Sequence, residues 1–162
     1  MAIPTNFLST GVLAPGTYEA TIPDLRKSIL VQGDGSSSTW DMAWRDALVS
    51  SVEILAKELW RVGFSEVFID GSFVEDKDHP NDIDGYFDTG VAAITPASMT
   101  ALQLQISALN SLNQYKVWDW NPRNRVFDAS TGKKQLPMWV RYRVEFYPHI
   151  AGTHAGIKDQ FG

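Results

Sequence analysis

Two aspartates, Asp82 and Asp84, stand one residue apart in a short apolar segment that favours a β-strand. Side chains alternate along a strand, so both carboxylates are expected on one face, with Cα atoms roughly 6–7 Å apart. Neighbouring carboxylates repel one another, which raises a pKa unless a cation lies between them. Because hard oxygen ligands of this kind suit Mg²⁺ or Mn²⁺, the pair predicts a divalent-metal site, with Ile83 facing the core.

A third carboxylate, Glu145, lies in residues 137–147, whose alternating pattern predicts one long strand. If that strand lies beside the strand of Asp82, the three acids form a cluster. Two metal ions about 3.5–4 Å apart could then activate an attacking oxygen and stabilise a leaving pyrophosphate. The alternative is that Glu145 pairs with Arg141 or Arg143 on a solvated face.

Gly71 and Ser72 end a predicted strand at residues 66–70, ten residues before the aspartate pair. Glycine allows a phosphate to approach the backbone closely, and the amides of a tight turn can hold phosphate oxygens together with the serine hydroxyl. Lys77 in the following loop and Arg143 near Glu145 are the candidate cations for phosphate binding.

The chain has an apolar strand that ends in Gly-Ser, then a spacer of about ten residues, then Asp-x-Asp and a later acid. This pattern resembles the nucleotidyltransferase superfamily that includes polymerase beta. The string IDGSFVEDKDHPNDIDGYFD, with APGTYEAT upstream, is similar to a small bacterial and phage family of that superfamily with the pattern GSFVxDKxxPxDID. The specific match covers roughly residues 12–90, and Glu145 extends it.

The resemblance implies transfer of a nucleotidyl group from an NTP to a hydroxyl or phosphate acceptor. In that reaction Asp82 and Asp84 would hold Mg²⁺ or Mn²⁺, Glu145 would hold the metal at the attacking oxygen, and Gly71 and Ser72 would hold the phosphates. A protein, a tRNA end and a small molecule all remain open as the acceptor.

Two departures from the superfamily pattern lie near the site, and the first of them, the shortage of cations, favours a different function, whereas the intact set of three acids argues against it. The loop after Ser72 carries only one cation, Lys77, and Gly85 stands where a large apolar residue is usual. A weakly active or inactive member could instead act as a binding or regulatory protein in a toxin–antitoxin or phage–host conflict system. Asp82 and Asp84 could also be ordinary turn residues after Pro80.

The elements that must position these residues follow from periodicity and from capping signals. A helix at about 40–62 has Ser38 or Thr39 as its cap and ends at Gly63, and its apolar stripe is Trp44, Leu48, Val52, Leu55 and Leu59. A second helix begins at Thr95-Pro96, with the apolar stripe Met99, Leu102, Ile106 and Leu109. Strands are predicted at 17–22, 66–70, 82–87, 115–120, 125–128 and 137–147, with Thr131-Gly132 in the turn between the last two. This order favours an α+β fold, a nucleotidyltransferase-like mixed sheet flanked by helices in a single domain. Its parts would be an arm (1–16), the domain (17–150) and a tail (151–162).

Composition excludes several other classes of protein. The chain has 162 residues, 44% of them apolar, and no cysteine, so thiolate zinc sites and disulfides are excluded. No run approaches the roughly 20 apolar residues of a membrane span, and the start of the chain does not resemble a signal peptide, so a cytoplasmic protein without membrane partners is expected. A net charge of −5 argues against broad nucleic-acid binding, although a nucleic-acid end could enter a local basic patch.

Other chemistry-bearing side chains favour structural roles. His79, His149 and His154 show no metal-ligand spacing, and Asp70 and Asp88 are expected to be structural. Trp118 and Trp120 could stack on a base, but packing is the favoured interpretation.

Overall fold

The computed structural model describes residues 1–151, which contain five α-helices and five β-strands. In chain order they are α1 Ile22–Lys27, α2 Ile29–Gln32, α3 Met42–Arg61, β1 Val67–Asp70, β2 Ile83–Asp88, α4 Pro96–Leu112, β3 Val126–Asp128, β4 Lys133–Gln135, α5 Pro137–Tyr142 and β5 Val144–His149. Short 3-10 turns lie at Gly71–Val74 and Pro122–Asn124. The predicted α+β class is confirmed; of the predicted tail, only Ala151 lies within the described residues.

The main sheet has three strands in the order β1-β2-β5, with β1 antiparallel and β5 parallel to the central β2. It is therefore a mixed sheet, as predicted. Ile83 is fully buried on its core face, together with Phe87, Val144 and Phe146. β3 and β4 form a separate two-stranded antiparallel hairpin.

The long helix α3 confirms the apolar stripe predicted from the sequence. Its buried positions include four of the five stripe residues, Leu48, Val52, Leu55 and Leu59. The predicted cap was wrong: the Asp41 side chain accepts a hydrogen bond from the Trp44 amide at 2.9 Å, while Thr39 bonds to Asp78 instead. At the other end, Gly63 has a positive φ of 98°, which lets the chain leave the helix.

Helix α4 also begins where the sequence predicts. Thr95 and Ser98 form a reciprocal capping box, and Pro96 lies in the first turn, where its missing N–H costs nothing. Leu102 and Leu109 of the predicted stripe are buried, and Met99 and Ile106 pack against the core.

Two of the predicted strands are absent from the described residues. Thr21 caps α1 in a capping box with Asp24, so residues 17–22 lead into a helix. Residues 115–120 are irregular because side chains, rather than a neighbouring strand, satisfy the polar groups of Trp118. Its backbone amide donates to the Asn110 side chain at 3.1 Å, and its indole N–H donates to Glu58 at 2.7 Å. Trp118 is buried, which confirms the packing interpretation.

The single strand predicted at 137–147 was also wrong, because this segment is α5 followed by β5. Pro137 occupies the first turn of the helix, and the consecutive residues Met138 and Trp139 are both buried, which strand alternation would not allow. Arg143 ends the helix in the left-handed conformation, with φ 55° and ψ 37°. The alternation holds only from Val144 onward.

The predicted turn at Thr131-Gly132 is present, but it connects β3 to β4 and not to the long segment. Residues 1–16, the predicted arm, lie on the domain through the packing of Phe7 near Trp40 and a single bridge between Val12 and Glu75. The arm therefore contacts the loop that follows Gly71-Ser72.

Candidate active site

The centre of the site is Asp84, which lies in register with an acid on each neighbouring strand, Asp70 on β1 and Glu145 on β5. Burial, followed by the charges of Asp82, Glu145 and Asp70 in that order, raises the pKa of the Asp84 carboxyl to about 7. This row of acids cannot be fully ionised near neutral pH unless a cation offsets the repulsion. Asp70 was expected to be structural, and the sequence offered no signal for its place in the row.

Asp82 lies immediately before β2 and is held by the neighbouring helix α5. The indole N–H of Trp139 donates to an Asp82 carboxylate oxygen at 2.6 Å, and Trp139 is buried. The Ile83 amide donates to the Arg143 carbonyl at 2.9 Å, which begins the pairing of β2 with β5. Trp139 was missed as a site residue because its segment was predicted to be a strand.

Glu145 is held at one oxygen and left without a partner at the other. The Tyr147 hydroxyl donates to Oε2 at 3.1 Å, while Oε1 is buried and has no hydrogen-bond partner among residues 1–151. Burial raises the pKa of the Glu145 carboxyl, and the charge of Asp82 adds to this effect. The Tyr147 hydrogen bond, the charge of Arg125 and the nearby Leu136 backbone amide lower it. A buried acceptor without a partner is costly, so this oxygen is suited to a ligand.

Gly71 brings the turn after β1 against the Asp84 carboxylate. Its φ is +70°, and a Cβ placed there would overlap an Asp84 oxygen, so glycine is required on both counts. The predicted neighbourhood of Gly71-Ser72 and the aspartate pair is therefore present.

Gly85 has a packing explanation. A Cβ at this position would overlap the Phe68 carbonyl oxygen and would lie 2.8 Å from the Phe146 ring. Phe146 is in register with Gly85 and fully buried, so the aromatic ring occupies the space of the missing side chain.

The loop after Ser72 is fixed by a buried arginine, Arg45 of α3. Its guanidinium is fully buried, lies 4.0 Å from the Trp40 ring centroid, and has a pKa lowered by burial to about 10. It donates to four backbone carbonyls, those of Leu30 (2.6 Å), Phe73 (2.8 Å), Glu75 (3.0 Å) and Lys77 (2.5 Å). The sequence signal that could have identified Arg45 is its position three residues before Leu48, which places it on the buried face of α3.

The two candidate phosphate-binding cations differ in their surroundings. Lys77 is exposed, in the loop that Arg45 holds. Arg143 is half-buried, and its guanidinium lies 3.9 Å from the ring centroid of Trp139, the residue that bonds Asp82. Arg141 instead stacks on Tyr115 and donates to its hydroxyl at 2.7 Å. Within residues 1–151, no ion pair joins Glu145 to Arg141 or Arg143.

The carboxylates do not already surround one ion. In the described part of the chain, no three His, Asp or Glu side chains are arranged so that they could hold one metal. His79 stacks on Trp44 and pairs with Asp41 at 2.9 Å, and His149 is exposed. His154 lies outside the described residues.

Fold and site together define a small α+β domain with a row of acids across one end of its mixed sheet. Residues 5–161 match DUF6932, a family of unknown function, and the chain belongs to that family. Comparison with curated proteins finds no match, and comparison with solved structures finds none either. No helix among residues 1–151 is both long and apolar enough to cross a membrane.

Proposed function

We propose that this protein is a metal-dependent nucleotidyltransferase that transfers a nucleotidyl group from an NTP to a hydroxyl or phosphate acceptor. The observation that carries the proposal is the in-register pairing of Asp84 with Glu145, with the Gly71 turn against the same carboxylate. The order of these residues in the chain resembles the nucleotidyltransferase superfamily, which gives independent support.

The donor set fits Mg²⁺ or Mn²⁺. Asp82, Asp84 and Glu145 offer hard carboxylate oxygens, one of them buried without a hydrogen bond. A cation would offset the burial and the neighbouring negative charges that raise the Asp84 pKa. Such ions, when bound, neutralise phosphate charge and activate an attacking hydroxyl. Mg²⁺ is usually held by one or two carboxylates plus substrate phosphates, so we expect the metal ion and the NTP to bind together. This expectation agrees with the described residues, in which no three acids are arranged to hold a metal ion by themselves.

The remaining residues bind phosphate or position the acids. The Gly71-Ser72 turn presents backbone amides and a hydroxyl to phosphate oxygens. Lys77 and Arg143 are the proposed phosphate-binding cations, and Arg143 lies over Trp139, the residue that bonds Asp82. Trp139 holds the Asp82 carboxylate, and this bond fixes the acid before substrate arrives, which limits reorganisation during the reaction.

A second candidate function rests on the sparse positive charge. The loop after Ser72 has a single cation, Lys77, and within residues 1–151 no three acids are arranged to hold one metal ion. A binding or regulatory protein that kept the fold, for example in a toxin–antitoxin or phage–host conflict system, would show both features.

Calorimetry with Mn²⁺ and a non-hydrolysable NTP tests the proposal and separates the two candidates. The wild type should bind the Mn²⁺–NTP pair in the micromolar to millimolar range, and Asp84→Asn should bind it at least tenfold more weakly. Asp88→Asn is the matched control, because it removes a carboxylate from the same face of the same strand. If the wild type binds no NTP at millimolar concentration, the catalytic proposal fails and the binding protein replaces it.

A further inference from the structure

Positive charge is concentrated in one part of this acidic chain. Residues 116–143 contain seven of the fourteen Lys and Arg residues but only two of the nineteen Asp and Glu residues, so their net charge is +5 while the rest of the chain carries −10. The seven are Lys116, Arg123, Arg125, Lys133, Lys134, Arg141 and Arg143. A polyanion would therefore be attracted to this segment and repelled by the rest of the surface.

The β3–β4 hairpin within this segment exposes an aromatic ring beside a cation. Phe127 lies directly opposite Lys134 in the antiparallel register, so the two side chains share a face. Phe127 is 63% exposed, and both Lys133 and Lys134 are exposed. The hairpin therefore presents an accessible aromatic ring with a cation on the same face.

The base of the hairpin is connected to the acidic site by hydrogen bonds. Arg125 donates to the Lys134 carbonyl and to the Tyr147 hydroxyl, each at 3.4 Å. Tyr147 in turn donates to Glu145 at 3.1 Å. A chain molecule lying on the hairpin would thus have a short path to Glu145.

We propose that the β3–β4 hairpin is the docking surface for a single-stranded nucleic acid whose terminal 3′ hydroxyl is the acceptor, an inference that rests on the proposed nucleotidyl transfer. Single strands bind by stacking bases on aromatic side chains while cations follow the phosphates, and Phe127 with Lys133 and Lys134 provides both. In the transfer step, the 3′ oxygen forms a bond to the α-phosphorus as the bond to the leaving pyrophosphate breaks, and the hydroxyl proton passes to water.

Other occupants fit these observations less well. An acidic peptide would use the lysines but offers no flat base to stack on Phe127. A duplex would present its bases stacked internally and would bring many phosphates near a surface whose remaining charge is −10. Binding restricted to a strand end agrees with the expectation that this acidic protein does not bind nucleic acids broadly.

Fluorescence anisotropy with a fluorescein-labelled twelve-nucleotide single-stranded RNA tests the docking surface, using the whole protein without metal or NTP. Phe127→Ala should weaken binding at least about fivefold, the lower range for loss of one stacked base. Lys133→Glu with Lys134→Glu should weaken it at least tenfold and reduce the slope of log K against log salt by about 1.4. The control, Lys27→Glu with Lys57→Glu, makes the same charge change on exposed helix positions and should stay within twofold.

Circular dichroism melts of each variant establish that the fold is kept. Equal RNA affinity in wild type and hairpin variants would overturn the inference, as would an equal loss in the control or competition by oligoglutamate as strong as by unlabelled RNA. Mn²⁺–NTP affinity measured on the same variants separates this outcome from failure of the proposed function. Hairpin-dependent RNA binding without NTP binding would support the docking surface and contradict the proposed transfer reaction.

Discussion

Asp84 and Glu145 lie side by side on the parallel strands β2 and β5, although sixty-one residues separate them in the chain. Asp70 flanks Asp84 from the other side on β1. Three acids from three strands thus form one row across the sheet, and the sheet's hydrogen bonding holds them in place against their repulsion.

Replacing the central acid should stabilise the protein at alkaline pH. The Asp84 pKa is raised from 3.8 to about 7 in the fold, so the folded state binds the proton more tightly than the unfolded chain does. The associated stability is present at low pH and is lost as the pH rises from about 4 to 7. Asp84→Asn should therefore raise the free energy of unfolding at pH 8 by about 1–2 kcal/mol, allowing for solvent screening.

Thermal and urea unfolding at pH 4.5 and pH 8 measure this difference. The gain should shrink to a small part of its pH 8 value at pH 4.5, where Asp84 of the folded protein is protonated. Asp88→Asn is the comparison variant, because it removes a carboxylate from the same face of β2. An Asp84→Asn protein that is less stable than wild type at pH 8 would show that the acid row is not strained.

Two glycines with similar positive φ angles isolate the contact between Gly71 and Asp84. Gly71 and Gly35 have φ of +70° and +81°, but a Cβ at Gly35 would meet no atom within 4 Å. Each Gly→Ala change costs about 1 kcal/mol for the left-handed backbone, and Gly71→Ala should cost about 1–3 kcal/mol more for the overlap. Equal midpoints of urea unfolding for the two variants would contradict the close approach.

Loss of Arg45 should release the loop that follows Ser72. Arg45→Met would leave four carbonyls without their shared donor and should cost about 3 kcal/mol or more. Arg45→Lys keeps the positive charge but has fewer N–H donors, so its free energy of unfolding should lie between those of the wild type and Arg45→Met. Hydrogen exchange of the amides at 73–77 should quicken in both variants, and unchanged exchange with a loss under 1 kcal/mol would argue against the tether.

Glu145→Gln should separate binding from transfer. If Glu145 acts at the attacking oxygen, the variant should transfer label from NTP at least about 100-fold more slowly. Mn²⁺–NTP affinity should stay within about threefold, because Asp82 and Asp84 remain. Tyr147→Phe removes only the hydroxyl that bonds Glu145, so the transfer rate should fall less than in Glu145→Gln. Transfer at the wild-type rate in Glu145→Gln would remove this residue from the mechanism.

The sequence alone predicted the features that depend on neighbouring residues. Apolar periodicity located α3 and α4, and the Thr95-Pro96 pair located the start of α4. Strand alternation placed Ile83 in the core and Glu145 on the opposite face from Phe146. These signals are local, because capping, periodicity and alternation act over a few residues.

The tertiary structure decided what depends on contacts between distant segments. Residues 137–142 alternate like a strand, yet Met138 and Trp139 are both buried because the segment is a helix packed beside the sheet. The bond from Trp139 to Asp82 and the place of Asp70 in the acid row depend on which elements meet and in which register. A period of two or 3.6 residues predicts the face of a strand or helix on which a side chain lies. It does not predict which segment packs against that face, because the packing of the whole chain determines this.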